Sequence, residues 1–188
     1  MVILFGLAMF AATSAFAVVD PDDNMMGMYW DLDADMPCMV PVAAPVPLYI
    51  ILTNPTMDAI GGFECGFTMD AAVAPFILAA EFANPQALDV ASGFQNFIVG
   101  FGAPTTCTEA TLLVTLNVGN FAGVPVDFYL HQASPSSIPG ILPVLLLEDN
   151  SLMQVSTPNP GGITAQQTVD CVVATDNVSW DSVKSLYR

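Results

Sequence analysis

The stretch TLLVTLNVGNFAGVPVDFYLH, residues 111–131, is the part of the sequence that decides the fold class. It contains two runs in which apolar and polar residues alternate, separated by the turn signal Gly119-Asn120. Each run collects its apolar residues on one face: Leu112, Val114, Leu116 and Val118 in the first, and Val124, Val126, Phe128 and Leu130 in the second. This period of two predicts strands that turn one face to a core and the other to water.

Similar segments recur along the chain. Residues 63–69 and 169–173 alternate in the same way, and residues 26–30 predict a first strand. Residues 48–52, 76–80 and 142–147 are apolar on both faces, which suits central strands or strands with a covered outer face. The alanines of residues 71–82 would suit a helix, but Pro75 and the Val, Phe and Ile content favour a strand. About nine or ten strands between turns rich in Pro, Gly and Asn predict an all-β, antiparallel two-sheet sandwich.

The charge balance excludes several classes of partner. The 188 residues include 18 acidic and 2 basic ones, a net charge of −16, although only 11% of residues are charged and 54% are hydrophobic. The apolar fraction is sufficient for a core, so disorder is excluded. Nucleic acids and anionic membrane surfaces are not expected partners, because both require clustered Lys and Arg.

The two ends differ in character from the middle of the chain. Residues 1–17 are uncharged and apolar and finish in Ala15-Phe16-Ala17, which is typical of a secretory signal peptide cleaved after Ala17. A retained, buried N-terminal segment is the alternative. Residues 18–24 are interpreted as an acidic leader, residues 25–175 as the sandwich domain and residues 176–188 as a C-terminal tail. The tail sequence SWDSVKSLYR contains both basic residues and predicts either a short helix docked on the sandwich or a sorting handle. We expect no membrane span after signal cleavage.

The four cysteines suggest an oxidising compartment. Cys38, Cys65, Cys107 and Cys171 form no CxxC motif, so two disulfides are expected rather than a zinc site. Of the three possible connectivities, we favour Cys65–Cys107 with Cys38–Cys171. The expected location is therefore secreted, cell-surface or periplasmic, and the resemblance described next implies a bacterial source.

Five short motifs resemble secreted, cohesin-like or carbohydrate-binding-module-like β-sandwich proteins of uncharacterised environmental bacteria. The motifs are GMYWD at 27–31, YIILTNP at 49–55, GFEC at 62–65, SIPG at 137–140 and SW..VK.LYR at 179–188. The resemblance implies a nine-stranded jelly roll that binds a partner protein or a glycan outside the cell. The chain departs from true cohesins in its disulfides and in lacking repeated modules, so a dockerin is not the expected partner.

The candidate glycan-binding residues are Tyr29, Trp30 and Tyr129. Glycan sites use exposed Trp or Tyr rings, and the twelve Phe residues are expected in the core. On an alternating strand Tyr29 and Trp30 face opposite sides, so at most one of them should be exposed. Tyr129 shares its predicted outer face with Asp127 and with His131, the only histidine, which we interpret as a hydrogen-bonded surface trio.

A calcium site is the one cofactor hypothesis, set against the expectation of no cofactor. Asp31, Asp33 and Asp35 alternate, and carboxylates at alternate positions suit Ca²⁺. However, an EF-hand loop requires Gly at its sixth position and Glu at its twelfth, and this sequence has Met36 and Val42 there. A solvated loop is therefore the favoured interpretation.

Catalysis is not expected. The sequence has no GxSxG motif, and a carboxylate pair for glycoside hydrolysis could only be drawn from Glu64, Asp70, Glu81 and Glu109. We therefore expect an exported, non-enzymatic interaction module that serves in adhesion, as a scaffold or in cell-envelope protein binding. A carbohydrate-binding module is the alternative, and a carboxylate-based hydrolase comes third.

Overall fold

The computed structural model describes residues 22–171, which form strands and turns with no helix. No helix in this part of the chain is long and apolar enough to cross a membrane. The strands are β1 (Met25–Tyr29), β2 (Cys38–Met39), β3 (Pro45–Thr53), β4 (Ala59–Ala71), β5 (Phe76–Phe82), β6 (Ala87–Asp89), β7 (Asn96–Thr106), β8 (Ala110–Gly119), β9 (Val126–His131), β10 (Val144–Leu147), β11 (Leu152–Gln154) and β12 (Ala165–Gln167).

These strands form two sheets that pack face to face, which confirms the all-β sandwich. The small sheet has the order β1-β3-β8-β5 and is antiparallel throughout. The large sheet contains the other eight strands, and only its β2–β12 pair is parallel. The count exceeds the expected nine or ten because β2, β6, β11 and β12 are only two or three residues long. A strand of two or three residues is too short to show an alternating pattern in the sequence.

Strand β4 is the centre of the large sheet. One edge pairs with β7 along residues 59–66, and the other pairs first with β10 and then with β9. Gly66 pairs with Asn96 of β7 and also with His131 of β9, so β7 and β9 lie on opposite edges of β4. Near residue 62 the local strand order is therefore β6-β7-β4-β10-β11.

The core lies between the sheets and is built around phenylalanine. Phe67 of β4 contacts Phe97 of β7 and Phe128 of β9, with ring centroids 6.4 Å apart in each pair. Phe82 of the small sheet contacts Phe97 edge-on at 5.9 Å and so joins the two sheets. Aromatic pairs of this kind stabilise a core beyond the area they bury, by about 1 kcal/mol each.

Strand β8 departs from the simple alternation expected for it. The register with β3 shifts between Ile50 and Ile51, where Ile50 is opposite Val114 and Ile51 is opposite Leu112. Leu113 is the extra residue of this bulge and is buried in the core. The expectation that Leu112 shares the core face is wrong, because a bulge moves the residues beyond it to the opposite face.

Two other strand expectations need correction. Residues 76–80 do form part of a strand and not a helix, but β5 is the edge of the small sheet rather than a central or covered strand, and Phe76 and Leu78 are exposed. Residues 169–171 form no strand, since β12 ends at Gln167 and Val169 is exposed. In both cases the apolar composition of a segment does not show which strands pair with it or cover it.

One of the two expected disulfides is confirmed. Cys38 and Cys171 are bonded and lie 133 residues apart in sequence, so the bond ties β2 to the turn after β12. Closing so long a loop stabilises the folded state by about 5 kcal/mol in the chain-entropy description.

The expected Cys65–Cys107 disulfide is wrong, because both thiols are free. The amide of Cys107 donates to the carbonyl of Asp58 at 2.8 Å, and Asp58 lies seven residues from Cys65 along the chain. Along an extended strand that separation is about 23 Å, whereas a disulfide needs Cα atoms roughly 4.4–6.8 Å apart. Burial, with a smaller contribution from Asp89, raises the pKa of the Cys65 thiol, and burial also raises that of Cys107.

The expected signal peptide and most of the leader lie outside the described residues, as do the C-terminal tail and residues 172–175 of the expected domain. The last leader residues are attached to the sandwich. The side-chain oxygen of Asn24 accepts a hydrogen bond from the backbone amide of Thr56 at 2.7 Å, and the backbone amide of Asn24 donates to the carbonyl of Asn54 at 3.0 Å.

The thiol assignment can be tested by titration with Ellman's reagent. Unfolded under non-reducing conditions, the chain should release two equivalents of thiol, and a Cys38→Ala variant should release three. In the native protein Cys65 should stay protected because it is buried, while Cys107 reacts. Complete absence of reactive thiol in the unfolded chain would contradict the assignment.

Candidate ligand-binding groove

Neither of the first two glycan candidates is available to a ligand. Trp30 is 8% exposed and Tyr29 is 1% exposed. They face opposite sides as expected, but both sides are covered. Trp30 points into the core, where it contacts Phe128 edge-on at 5.7 Å and donates its indole N–H to the carbonyl of Gln166 at 3.0 Å.

The Tyr29 ring is buried on the outer face of the small sheet. It lies over Gly27, where a Cβ atom would overlap the ring, and packs with Ala34 and Ile51. Ala34 belongs to the loop that follows β1, so this loop covers the ring. Neither ring therefore presents an exposed face on which a sugar could stack, which agrees with the expectation that at most one of the two is exposed.

Tyr129 remains partly exposed on the outer face of β9. Asp127 and His131 share that face as expected, and the three residues are opposite Asp70, Thr68 and Gly66 of β4. Desolvation raises the pKa of the Tyr129 phenol, as do the carboxylates of Asp127 and Asp70. The His131 ring fits because Gly66 has no side chain, and its Nδ1 lies 2.7 Å from the carbonyl oxygen of Gln132. The face offers one aromatic ring, not a platform of several.

The calcium candidates form a self-contained loop. One carboxylate oxygen of Asp31 accepts from the amides of Asp35 and Met36, both at 3.0 Å, which holds Ala34 at a φ of 61°. Partial burial raises the pKa of Asp35, and repulsion from Asp31 and Asp33 adds to the effect. Within residues 22–171 no three His, Cys, Asp or Glu side chains converge as a metal site would require.

The carboxylates considered for hydrolysis do not form a pair on β4. Glu64 and Asp70 are six residues apart on one strand, which is about 20 Å, against the roughly 5–9.5 Å that glycosidases use. Glu81 lies on β5 of the other sheet, and Glu109 lies in the connection between β7 and β8.

A groove lies elsewhere, on the outer face of the large sheet. Five strands contribute to one row of residues across it, in which each residue is opposite the next: Leu88, Gly100, Gly62, Leu146 and Leu152. Leucines therefore flank a pair of glycines, and the cavity that Leu88, Gly100, Leu146 and Leu152 line together with other residues has a volume of about 690 Å³. We call it the glycine groove. Small-molecule and cofactor sites typically have volumes of roughly 300–1,000 Å³.

The two central glycines serve different purposes. A Cβ atom at Gly62 would overlap the carbonyl oxygen of Val99, so Gly62 is required for β4 and β7 to approach each other. A Cβ atom at Gly100 would meet nothing within 4 Å and would project into the groove. Gly100 is therefore not needed for internal packing. Glycine weakens a strand interior and often marks a place where a ligand approaches the backbone.

One end of the groove is closed by the loop of residues 132–143. The Glu64 carboxylate accepts from the amide of Ser137 at 2.8 Å and from its hydroxyl, and the Asn96 side chain donates to the carbonyl of Ser134 at 2.9 Å. Val90 and Ile98 extend the apolar lining on this side, and Gln86 lies at the other end, where its carbonyl accepts from Gly102. Among residues 22–171, Glu64 is the only charged residue that lines the groove.

No family model, curated protein or solved structure matches this chain. The groove is therefore interpreted from its own geometry. Sequence reasoning missed it because its lining comes from positions between 63 and 152. One local signal was present, since glycine occupies two alternate positions in the apolar run FIVGFG at 97–102.

The distinction between the glycines gives a paired stability prediction. Gly62→Ala should destabilise the protein by about 3 kcal/mol, because the added methyl group meets backbone that cannot move aside. Gly100→Ala should be neutral or stabilising by about 0.5 kcal/mol, because its methyl group meets open space and relieves the entropic cost of glycine. Urea unfolding of both variants measures the difference, and equal destabilisation would contradict the assignment.

The loop after β1 gives a pH prediction. The pKa of Asp35 is raised above 3.8 in the folded state, so its charged form disfavours folding at neutral pH. Asp35→Asn should therefore stabilise the protein at pH 7, and the gain should disappear as the pH falls below about 3.8, where the carboxyl is protonated in both states.

Asp149→Asn is the control of opposite sign. Hydrogen bonds from the hydroxyl and amide of Ser151 lower the pKa of Asp149. The Asp149 carboxylate therefore stabilises the folded state at neutral pH, and this stabilisation is lost as the pH falls. Thermal unfolding at several pH values measures both variants. A loss of stability at pH 7 in Asp35→Asn would contradict the first prediction.

Proposed function

We propose that this protein is an exported, non-enzymatic β-sandwich interaction module and that the glycine groove is its binding surface. Such a module would serve in adhesion, as a scaffold or in binding cell-envelope proteins. The observation that carries the proposal is Gly100: an exposed glycine in mid-strand, with open space where its side chain would be and leucines on either side. A chain that only needed a stable sheet would gain from a larger residue there.

Two findings support the exported location. The Cys38–Cys171 disulfide is compatible with an extracellular or periplasmic compartment, where such bonds persist. The absence of a long apolar helix within residues 22–171 is compatible with the same location. The expected signal peptide at residues 1–17 would direct this export.

The carbohydrate-binding alternative has less support. With Tyr29 and Trp30 buried, it depends on Tyr129 alone. The groove lining contains Phe63 and Phe101 but neither Trp nor Tyr, whose polar atoms reach sugar hydroxyl groups. An apolar ligand suits the aliphatic walls better.

Nile red, an uncharged fluorescent probe of apolar sites, tests the proposal. The disulfide-bonded full chain should bind it saturably, and Gly100→Leu should weaken binding at least about tenfold by filling the floor. Thr68→Leu is the matched control: it adds the same side chain to an exposed position on the outer face of the same sheet, outside the groove.

Equal Nile red binding by the wild type and Gly100→Leu would contradict the proposal. So would glycan-array binding that is lost in Tyr129→Ala and retained in Gly100→Leu, because that pattern would favour the carbohydrate alternative. Urea unfolding of each variant shows that it is folded before binding is compared.

A further inference from the structure

The glycine groove has an electrostatic setting that restricts its occupant. Three of the eighteen acidic residues, Asp20, Asp176 and Asp181, lie outside residues 22–171, which leaves fifteen inside. Residues 22–171 contain no Lys or Arg, because Lys184 and Arg188 also lie outside. The field of so acidic a domain attracts cationic ligands and repels anionic ones.

The residues that line the groove also disfavour anionic ligands at short range. A fatty acid or an anionic lipid needs a Lys, an Arg or a helix N-terminus to hold its headgroup, and the lining offers none of these. Its one charge is the Glu64 carboxylate. An ionised carboxylate accepts about four hydrogen bonds, and Ser137 supplies two, one from its amide and one from its hydroxyl.

The dimensions of the groove suit an extended chain. Between its two ends the groove follows β7 from Gly102, beside Gln86, to Ile98, opposite Glu64, and four residues of a strand rise about 13 Å. An extended peptide covers that length with about four residues, so a hexapeptide spans the groove. Apolar side chains of such a peptide would contact Leu88, Leu146 and Leu152, and its backbone would lie over Gly100, where no Cβ atom holds it away.

We propose that the glycine groove binds an extended apolar segment of a partner protein that places a Lys or Arg side chain at Glu64. This inference rests on the proposed function and names the chemistry of the partner. The Ser137 hydrogen bonds fix the orientation of the Glu64 carboxylate before the ligand arrives, which reduces the ordering cost of binding. The apolar walls supply affinity, and the carboxylate supplies the preference for a basic side chain.

Titration calorimetry with three hexapeptides, capped at both ends, tests the inference. The peptides share an apolar sequence and differ at one position, which is Lys, Gln or Glu. The full-length protein should bind the Lys peptide about tenfold more tightly than the Gln peptide, as expected for a charge-assisted hydrogen bond. The Glu peptide should bind most weakly, and the preference for Lys should shrink as salt is added.

Two variants separate the charge of Glu64 from its role in the loop. Glu64→Gln should bind the Lys and Gln peptides equally, because the carboxylate is gone. Ser137→Ala should keep the preference for Lys, because it removes a hydrogen bond and leaves the charge in place. Gly100→Leu should weaken binding of all three peptides, whereas Thr68→Leu should leave it unchanged.

The outcomes distinguish this inference from the proposed function. If the wild type binds the three peptides equally and Gly100→Leu blocks them all, the groove is a binding site but the preference for a basic segment is wrong. Tighter binding of sodium laurate than of any peptide would overturn the inference in favour of an acyl ligand. If neither Nile red nor any peptide binds, the proposed function fails as well.

Discussion

Strand β4 pairs with three other strands of the large sheet, and its side chains alternate between the core and the outer face. Its core-facing side carries Phe63, Cys65 and Phe67, all buried, and its outer side carries Gly62, Glu64 and Gly66. A slip of one residue would move Phe63 and Phe67 to the outer face and Gly62 and Gly66 into the core. The register with β7, β9 and β10 is therefore fixed by the same residues that build the core.

Loops cover parts of the outer faces of the two sheets and leave other parts open. The loop after β1 covers Tyr29 on the small sheet. The loop of residues 132–143 lies over part of the large sheet, anchored by Asn96 and Glu64. Between the leucines of β6, β10 and β11 the surface stays open above Gly100. The groove is thus an uncovered part of the outer face of the large sheet.

Much of the fold could be predicted from the sequence, because period-two patterns report directly which face of a strand is buried. The alternation of β9 was read correctly, and Pro75 correctly favoured a strand over a helix. The bulge at Leu113 was missed, since an extra residue interrupts the period without any change in composition. The Cys65–Cys107 pairing was wrong because cysteine spacing carries no information about distance along a sheet.

The candidate site was harder to predict for a related reason. Aromatic content pointed to Tyr29 and Trp30, but their burial is decided by partners such as Phe128 and Ala34, which no local pattern connects to them. The glycine groove is formed by glycines and leucines, which are common in any strand. They indicate a groove only because five strands bring them into one row.

Two-dimensional NMR of the labelled full-length protein, with the lysine hexapeptide added, shows which backbone amides lie near the bound peptide. If the peptide lies in the glycine groove, the largest chemical-shift changes should fall on the amides around Gly62, Glu64 and Gly100 and on strand β10. Changes that cluster instead around Tyr129 on β9 would contradict binding in the groove.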